Sequence, residues 1–264
     1  MEELVVTLAR RPNILLVVFD SLSAEAMQEH ASDLLALTVL RAQGLNFENA
    51  YAPSPESSPA RASLFTGLDM ATHGVWTDGV ALPKRETPIP EIFARNGYVS
   101  WLVGRRQLAG VSGWTTEHAR LGEYHHFDWA HGPLHRSRQN AYLTWLEGTA
   151  PETYAKIFPR QANPDDTNIP SAQRQAIEEL PDDLCFNTWV GQQVSTRIAG
   201  DEPFFGIASF VVGQSMGATR ACVETLNQHA LRQADGALAK IVLALPENTV
   251  IVVTAGRGSV KNAG

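Results

Sequence analysis

Residues 13–19 read NILLVVF, with five consecutive branched aliphatic side chains and no charge. A strand with one wet face alternates apolar and polar residues; this run does not, so both of its faces must be buried. It is far shorter than the ~20 apolar residues that cross a bilayer. What fits is a strand inside a parallel sheet. Successive parallel strands need a long crossover, usually a helix, so the rest of the chain has to supply that alternation.

The next ninety residues do so. Ser23 is a candidate cap for a helix after the first strand. Residues 32–43 repeat Leu34, Leu35, Leu37 and Leu40 at helical spacing, and Gly44 is the stop signal. Residues 45–51 read as a short strand and 53–59 as a Pro/Ser loop. A helix is expected over 60–65, ended by Gly67, and another over 87–96, ended by Gly97. Residues 98–103 read as a strand ending at Gly104. Further on, 184–198 reads as a helix, 203–212 (PFFGIASFVV) as a buried strand, 225–245 as a long helix and 249–254 (TVIVVT) as a last strand. The expectation is an α/β fold, a mostly parallel central sheet with helices on both faces.

The stretch 111–183 is rich in Trp, His, Pro and Asn and is expected to be an irregular insertion or cap over the sheet, within one domain spanning 1–264. His125, His126, His131 and His135 lie in it, and both a polar surface loop and a metal site fit their spacing. Cys185 and Cys222 belong to no CxxC or Cys/His cluster, so two buried thiols are expected rather than a structural zinc. A net charge of -7 gives no electrostatic reason to expect nucleic acid or an anionic membrane. The first eleven residues carry Glu2, Glu3, Arg10 and Arg11 without a long apolar core, unlike a signal peptide, and a cytoplasmic protein is expected.

The strings RPNILLVVFDSL (11–22) and LNFENAYAPSPESSPARASLFTGL (45–68) together resemble the start of a sulfatase, of the alkaline phosphatase superfamily. That family opens with a buried strand ending in a metal-binding aspartate, here Asp20. Its signature of Cys, Ser or Thr, any residue, Pro, Ser or Ala, then Arg is matched by Ser57 to Arg61, leading to Thr66 and Gly67. Three later segments follow in family order: GYVSWLVG, DEPFFGIASF and ENTVIVVTAGRG. The resemblance implies Ser57 as nucleophile, or as precursor of a formylglycine, Arg61 as its catalytic neighbour, and Ca or Mg as the cofactor of an active site. It also implies a C-terminal subdomain, often with a substrate-binding lysine, which is expected to be lacking.

Physical chemistry gives the same residues a rationale. A hydroxyl at a helix N-terminus sits near free N–H groups and the positive end of the dipole, which favour a sulfate or phosphate. Arg61 adds a fork of donors, and Asp20 lies at the carboxyl end of a strand, where parallel sheets place ligand groups. Each also has a plain reading: Ser57 as a helix cap, Arg61 as an ion-pair partner, Asp20 as a cap.

Other positions depart from the family. Its Asp-His or Asp-Asn pair aligns with Gly256 and Arg257, its Lys and His after the central strand with Arg105 and Gln107, and its later His with Gln214. A divalent ion needs several oxygen ligands, and Asp20 alone, opposed by Arg257, would hold it weakly. Asp235 and Glu224 are the carboxylates that a shifted alignment would recruit, although Asp235 reads as a helix-surface or capping group. Hence no tightly bound cofactor is expected. The two functions to weigh are a degenerate binding or assembly module and an active hydrolase of sulfate or phosphate esters using Ser57. In a variant of the first, Arg61, Arg105, Gln107, Gln214 and Arg257 hold an anion without metal. The expected partners are a sulfate- or phosphate-bearing ligand and a second protein or second copy of the chain.

Overall fold

A computed structural model describes residues 11–110, 115–158, 171–200, 202–212 and 220–257. Its centre is a five-stranded sheet of β1 (Asn13–Asp20), β2 (Val99–Gly104), β3 (His126–Trp129), β4 (Phe204–Val211) and β5 (Thr249–Ala255). The strands lie in the order β3-β2-β4-β1-β5, and every pairing is parallel. β1 therefore has a neighbour on each side, and its residues from Leu15 to Asp20 are buried. Alternate side chains of β1 enter different cores. Leu15, Val17 and Phe19 join one, with residues of α2 (Leu35–Gln43), α6 (Ala141–Thr149), α9 (Phe186–Arg197) and α10 (Arg220–Ala244). Leu16 and Val18 join the other, with Ala62 and Phe65 of α3 (Ser57–Thr66) and Ile89 and Phe93 of α5 (Ile89–Arg95). Helices thus cover both faces, which is why the strands carry continuous apolar runs.

Local signals act where they were expected. Ser23 accepts from the Ala26 N–H at 3.1 Å and caps α1 (Ala24–Glu29). Gly67, at φ 70°, ends α3 in the left-handed conformation, its N–H bonded to the Ser63 carbonyl. Asp235 is a buried cap, but for another helix. From α10 its carboxylate accepts the N–H groups of Ala36 (3.1 Å) and Leu37 (2.9 Å) at the start of α2. Between α3 and α5 lies a single turn, α4 (Met70–His73), capped by Asp69.

Two expectations need correction. Residues 45–51 pair with no described strand; Leu45, Phe47 and Tyr51 are 90%, 80% and 87% exposed. The described part of 111–183 is more regular than its composition suggests. It contributes β3 to the sheet edge, α6 capped by the Asn140 side chain, α7 (Pro151–Ile157), α8 (Ser171–Glu178) and a 3₁₀ turn (Asp182–Leu184). β3 has only four residues, one of them buried, and it takes its extended form from pairing with β2. Cys185 is a buried thiol, while the Cys222 side chain lies outside the described residues. No helix among the described residues is long and apolar enough to cross a membrane.

Candidate functional site

The carboxyl ends of β1, β2, β4 and β5 converge on Asp20. It is the last residue of β1 and fully buried, and Ser21 after it turns the chain at φ 64°. Such a left-handed turn costs a non-glycine residue on the order of 1 kcal/mol. The other described non-glycine residue with positive φ is Gln107, at 61°, just past β2. Both strained turns therefore flank the same spot. Gly104 also sits there at φ 102°, and a Cβ on it would clash with the Ser209 carbonyl oxygen on β4.

Two guanidiniums meet the Asp20 carboxylate. Arg105 Nη1 donates to Oδ2, and its Nε donates to the His131 carbonyl. Arg61 Nη2 stands 3.9 Å from Oδ1 and donates to Ser209 Oγ at 3.0 Å, while its Nη1 donates to the Arg105 carbonyl at 2.7 Å. Burial lowers the Arg61 pKa; Asp20 opposes that shift and Arg105 adds to it. Arg61 and Arg105 are both buried, so two positive charges face one negative charge away from water. Neither Asp20 Oδ1 nor Arg61 Nε has a hydrogen-bond partner among the described residues.

Ser57 is buried at the first position of α3, one turn before Arg61. One N–H of the helix start around it is already served by an acid. Asp78 Oδ1 accepts the Ser58 N–H at 2.7 Å, and Glu56 Oε2 accepts from the Asp78 N–H and the Thr77 hydroxyl, both at 2.6 Å. The hydrogen bond from Thr77, followed by that from Asp78, holds the Glu56 carboxyl below its usual pKa. Pro59 has no N–H to offer. Arg257, half-buried, donates to the Pro55 carbonyl at 3.1 Å, which ties the end of β5 to the loop before Ser57. The Gln107 N–H goes to Glu117 at 2.8 Å, and its side-chain carbonyl is buried without a hydrogen-bond partner among the described residues. Gln214 lies outside the described residues.

Of the residues singled out in the sequence, Asp20, Arg61 and Arg105 are brought into contact, and Gly256 adjoins them. Its N–H bonds to the Phe19 carbonyl at 2.8 Å, and a Cβ on it would stand 3.4 Å from both Asp20 Oδ1 and Arg61 Nη2. Sequence reasoning missed Ser209, the His131 carbonyl and the acids Asp78 and Glu117. The adjacent pair Arg105–Arg106, which follows the apolar run of β2, was the available signal for Glu117, since buried guanidiniums demand carboxylates; nothing in the sequence pointed to Asp78. His131 and His135 pack against each other and Trp129, with ring centroids 5.0 Å apart for the two histidines. No group of three or more His, Cys, Asp or Glu among the described residues is placed to hold a metal. The described residues do not suit a divalent cation here: among them Asp20 supplies one carboxylate, and both of its oxygens face guanidinium.

The sequence model of the sulfatase family matches residues 12–148, more than half of the chain. The chain belongs to the sulfatase family. The match takes in Asp20, Ser57, Arg61, Arg105 and Gln107, while Gln214, Gly256 and Arg257 fall beyond it. The chain is 34% identical over 104 residues to the uncharacterised sulfatase YidJ of Escherichia coli, covering 38% of this chain and 21% of that protein. It is 30% identical over 103 residues to an arylsulfatase of Clostridium perfringens, covering 37% and 21%. Among solved structures, the phosphonate monoester hydrolase of Agrobacterium radiobacter is similar in fold (TM-score 0.67, 17% identity), covering 94% of this chain and 63% of that one. The sulfatase segment shared with the curated relatives is thus about a fifth of their length.

Proposed function

We propose that this chain is a single sulfatase-like domain that does not cleave esters, and that it serves as a binding or assembly module for a sulfate- or phosphate-bearing ligand or a second protein. The observation that carries this reading is the Asp20 carboxylate, the family's expected metal ligand, occupied by Arg105 and faced by Arg61. Gly256 beside it brings no ligand atom. Without a cation, nothing lowers the pKa of the Ser57 hydroxyl or offsets charge on a leaving group. The ligand class follows from the named activities of the similar proteins, an arylsulfatase and a phosphonate monoester hydrolase. That Asp78 already serves the start of α3 supports a pocket no longer open to the reacting anion.

The test is calorimetric titration with Mg, Ca, Mn and Zn, beside a panel of aryl sulfates, phosphate mono- and diesters and phosphonates. No stoichiometric cation binding is expected, and no turnover above a Ser57→Ala control. Tight binding of one cation, or turnover that Ser57→Ala abolishes, would instead establish the second reading. That reading is an ester hydrolase with Ser57, or a formylglycine made from it, as nucleophile. It is favoured by the burial of Ser57 at the first turn of a helix that also carries Arg61.

A further inference from the structure

The geometry points to Arg105 as the resident replacement for a cation at Asp20, with residue 256 as the position where a second carboxylate would let the pocket hold an ion once Arg105 is gone. This rests on the metal-free reading above. It goes further by naming the group that took the ion's place and what would reverse the exchange.

Arg105 is fixed at both ends of its guanidinium. Nη1 donates to Asp20 Oδ2 and Nε donates to the His131 carbonyl. Its backbone is fixed too, because its carbonyl accepts from Arg61 Nη1 at 2.7 Å. Removing it would leave a fully buried carboxylate with, among the described residues, only Arg61, 3.9 Å away, as counter-charge. Loss of one partner of a buried pair is strongly destabilising, because the remaining charge is uncompensated.

Position 256 is equally defined. Its N–H continues the β1–β5 ladder by bonding to the Phe19 carbonyl, and it is not among the glycines with positive φ. An L side chain is therefore admitted. A Cβ there stands 3.4 Å from Asp20 Oδ1, the oxygen without a hydrogen bond among the described residues, and 3.3 Å from Val18 Cγ1, which must give slightly. An aspartate at 256 would place a second carboxylate beside Asp20. With Arg105 present, two carboxylates would face two guanidiniums and attract no further cation. With Arg105 neutralised, two carboxylates would face Arg61 alone, and a hard cation becomes the missing charge.

Thermal unfolding of the full chain, with EDTA and then with millimolar Ca or Mg, separates the cases. The wild type is expected to be indifferent to both ions. Arg105→Met, which keeps much of the stem, should lower Tm by roughly 10 °C. Gly256→Asp should fold and stay indifferent to cations. The double variant Arg105→Met/Gly256→Asp should be stabilised by Ca or Mg by about 5 °C, with one site by calorimetry. If Arg105→Met does not fold, Asp20→Asn/Arg105→Met, which removes both charges, should recover folded protein. An Arg105→Met variant as stable as the wild type would overturn the replacement. So would a double variant indifferent to every cation, or no recovery on adding Asp20→Asn. A cation response by the wild type would overturn the metal-free reading itself, a result none of these outcomes mimics.

Discussion

Arg105 and Arg106 follow each other off the end of β2 and enter two buried charge clusters of opposite balance. Arg106 forks onto Glu123, with Nε to Oε1 at 2.9 Å and Nη2 to Oε2 at 2.6 Å, and its Nη1 reaches Glu117 Oε1 at 3.0 Å. Glu117 also accepts the N–H groups of Gln107, Leu108 and Ala109 and the Trp129 indole N–H, all between 2.7 and 3.1 Å. Glu123 takes the Arg120 N–H as well. Both acids have every oxygen bonded, and the cluster carries an excess of negative charge. The Asp20 cluster has the opposite excess and leaves Asp20 Oδ1 and Arg61 Nε without a hydrogen bond among the described residues. A saturated network can only hold shape; an unsaturated one keeps valences that other chemistry can use. The difference separates scaffold from site within one loop.

The largest effect should come from breaking the saturated cluster. Glu117→Gln sets an amide against at least one of five donors and leaves Arg106 with Glu123 alone. Urea unfolding should show a loss of about 3–5 kcal/mol, as for other broken buried pairs. A loss below about 1 kcal/mol would mean that the loop after β2 is held by something else, and the division into scaffold and site would fail.

A smaller effect sharpens the comparison through His131, which belongs to the positive cluster. Burial, then the Arg105 charge, then His135 and Arg61 push its pKa down to about 2. The folded state therefore keeps the ring neutral while the unfolded chain takes up a proton near pH 6.5, so more protons are bound unfolded and stability falls as pH falls below that value. Between about pH 7 and about pH 5.5 this single ring should cost on the order of 1 kcal/mol, above the range where carboxylates titrate. His131→Asn should flatten that slope in parallel urea titrations. An unchanged slope would mean that the folded state does not hold the ring neutral.

The sheet was legible because its strands are buried on both faces and their sequences say so; NILLVVF and PFFGIASFVV could be little else. β3 was not legible, since HFDW is a short, half-exposed edge whose shape comes from β2 rather than from its own residues. Residues 45–51 erred the other way, reading as a strand with no described partner strand. At the site, Asp20, Ser57 and Arg61 were singled out through their family order and Gly256 and Arg257 as departures from it; of these, Asp20, Arg61 and Gly256 lie together in the structure. That Arg105 reaches Asp20 was not readable, because the pair is 85 residues apart and several arginines compete for one acid. Glu117 stood unremarked in a stretch rich in Trp and His, yet it accepts from Arg106, from three backbone N–H groups and from the Trp129 indole. Asp235 was read as a helix-surface or capping group, and it does cap a helix, but the one it caps, α2, lies 199 residues away in sequence.

The smallest expected effect tests whether burial, rather than charge pairing as such, is what distinguishes these clusters from the rest. Arg232 on α10 pairs with Asp33 before α2 at 2.9 Å, geometry as good as that of Arg106 with Glu117, but the two side chains are 55% and 40% exposed. In water the Coulomb gain is small, and ordering two mobile side chains offsets much of it. Asp33→Asn should therefore change stability by no more than about 0.5 kcal/mol, and the change should vanish in about 1 M salt, where screening reaches within a few ångströms. Urea midpoints at low and high salt would read this directly. A salt-insensitive loss above about 1 kcal/mol would mean that this pair is shielded like the buried ones, and that pairing at the seam between α10 and α2 contributes as much as the clusters under β2.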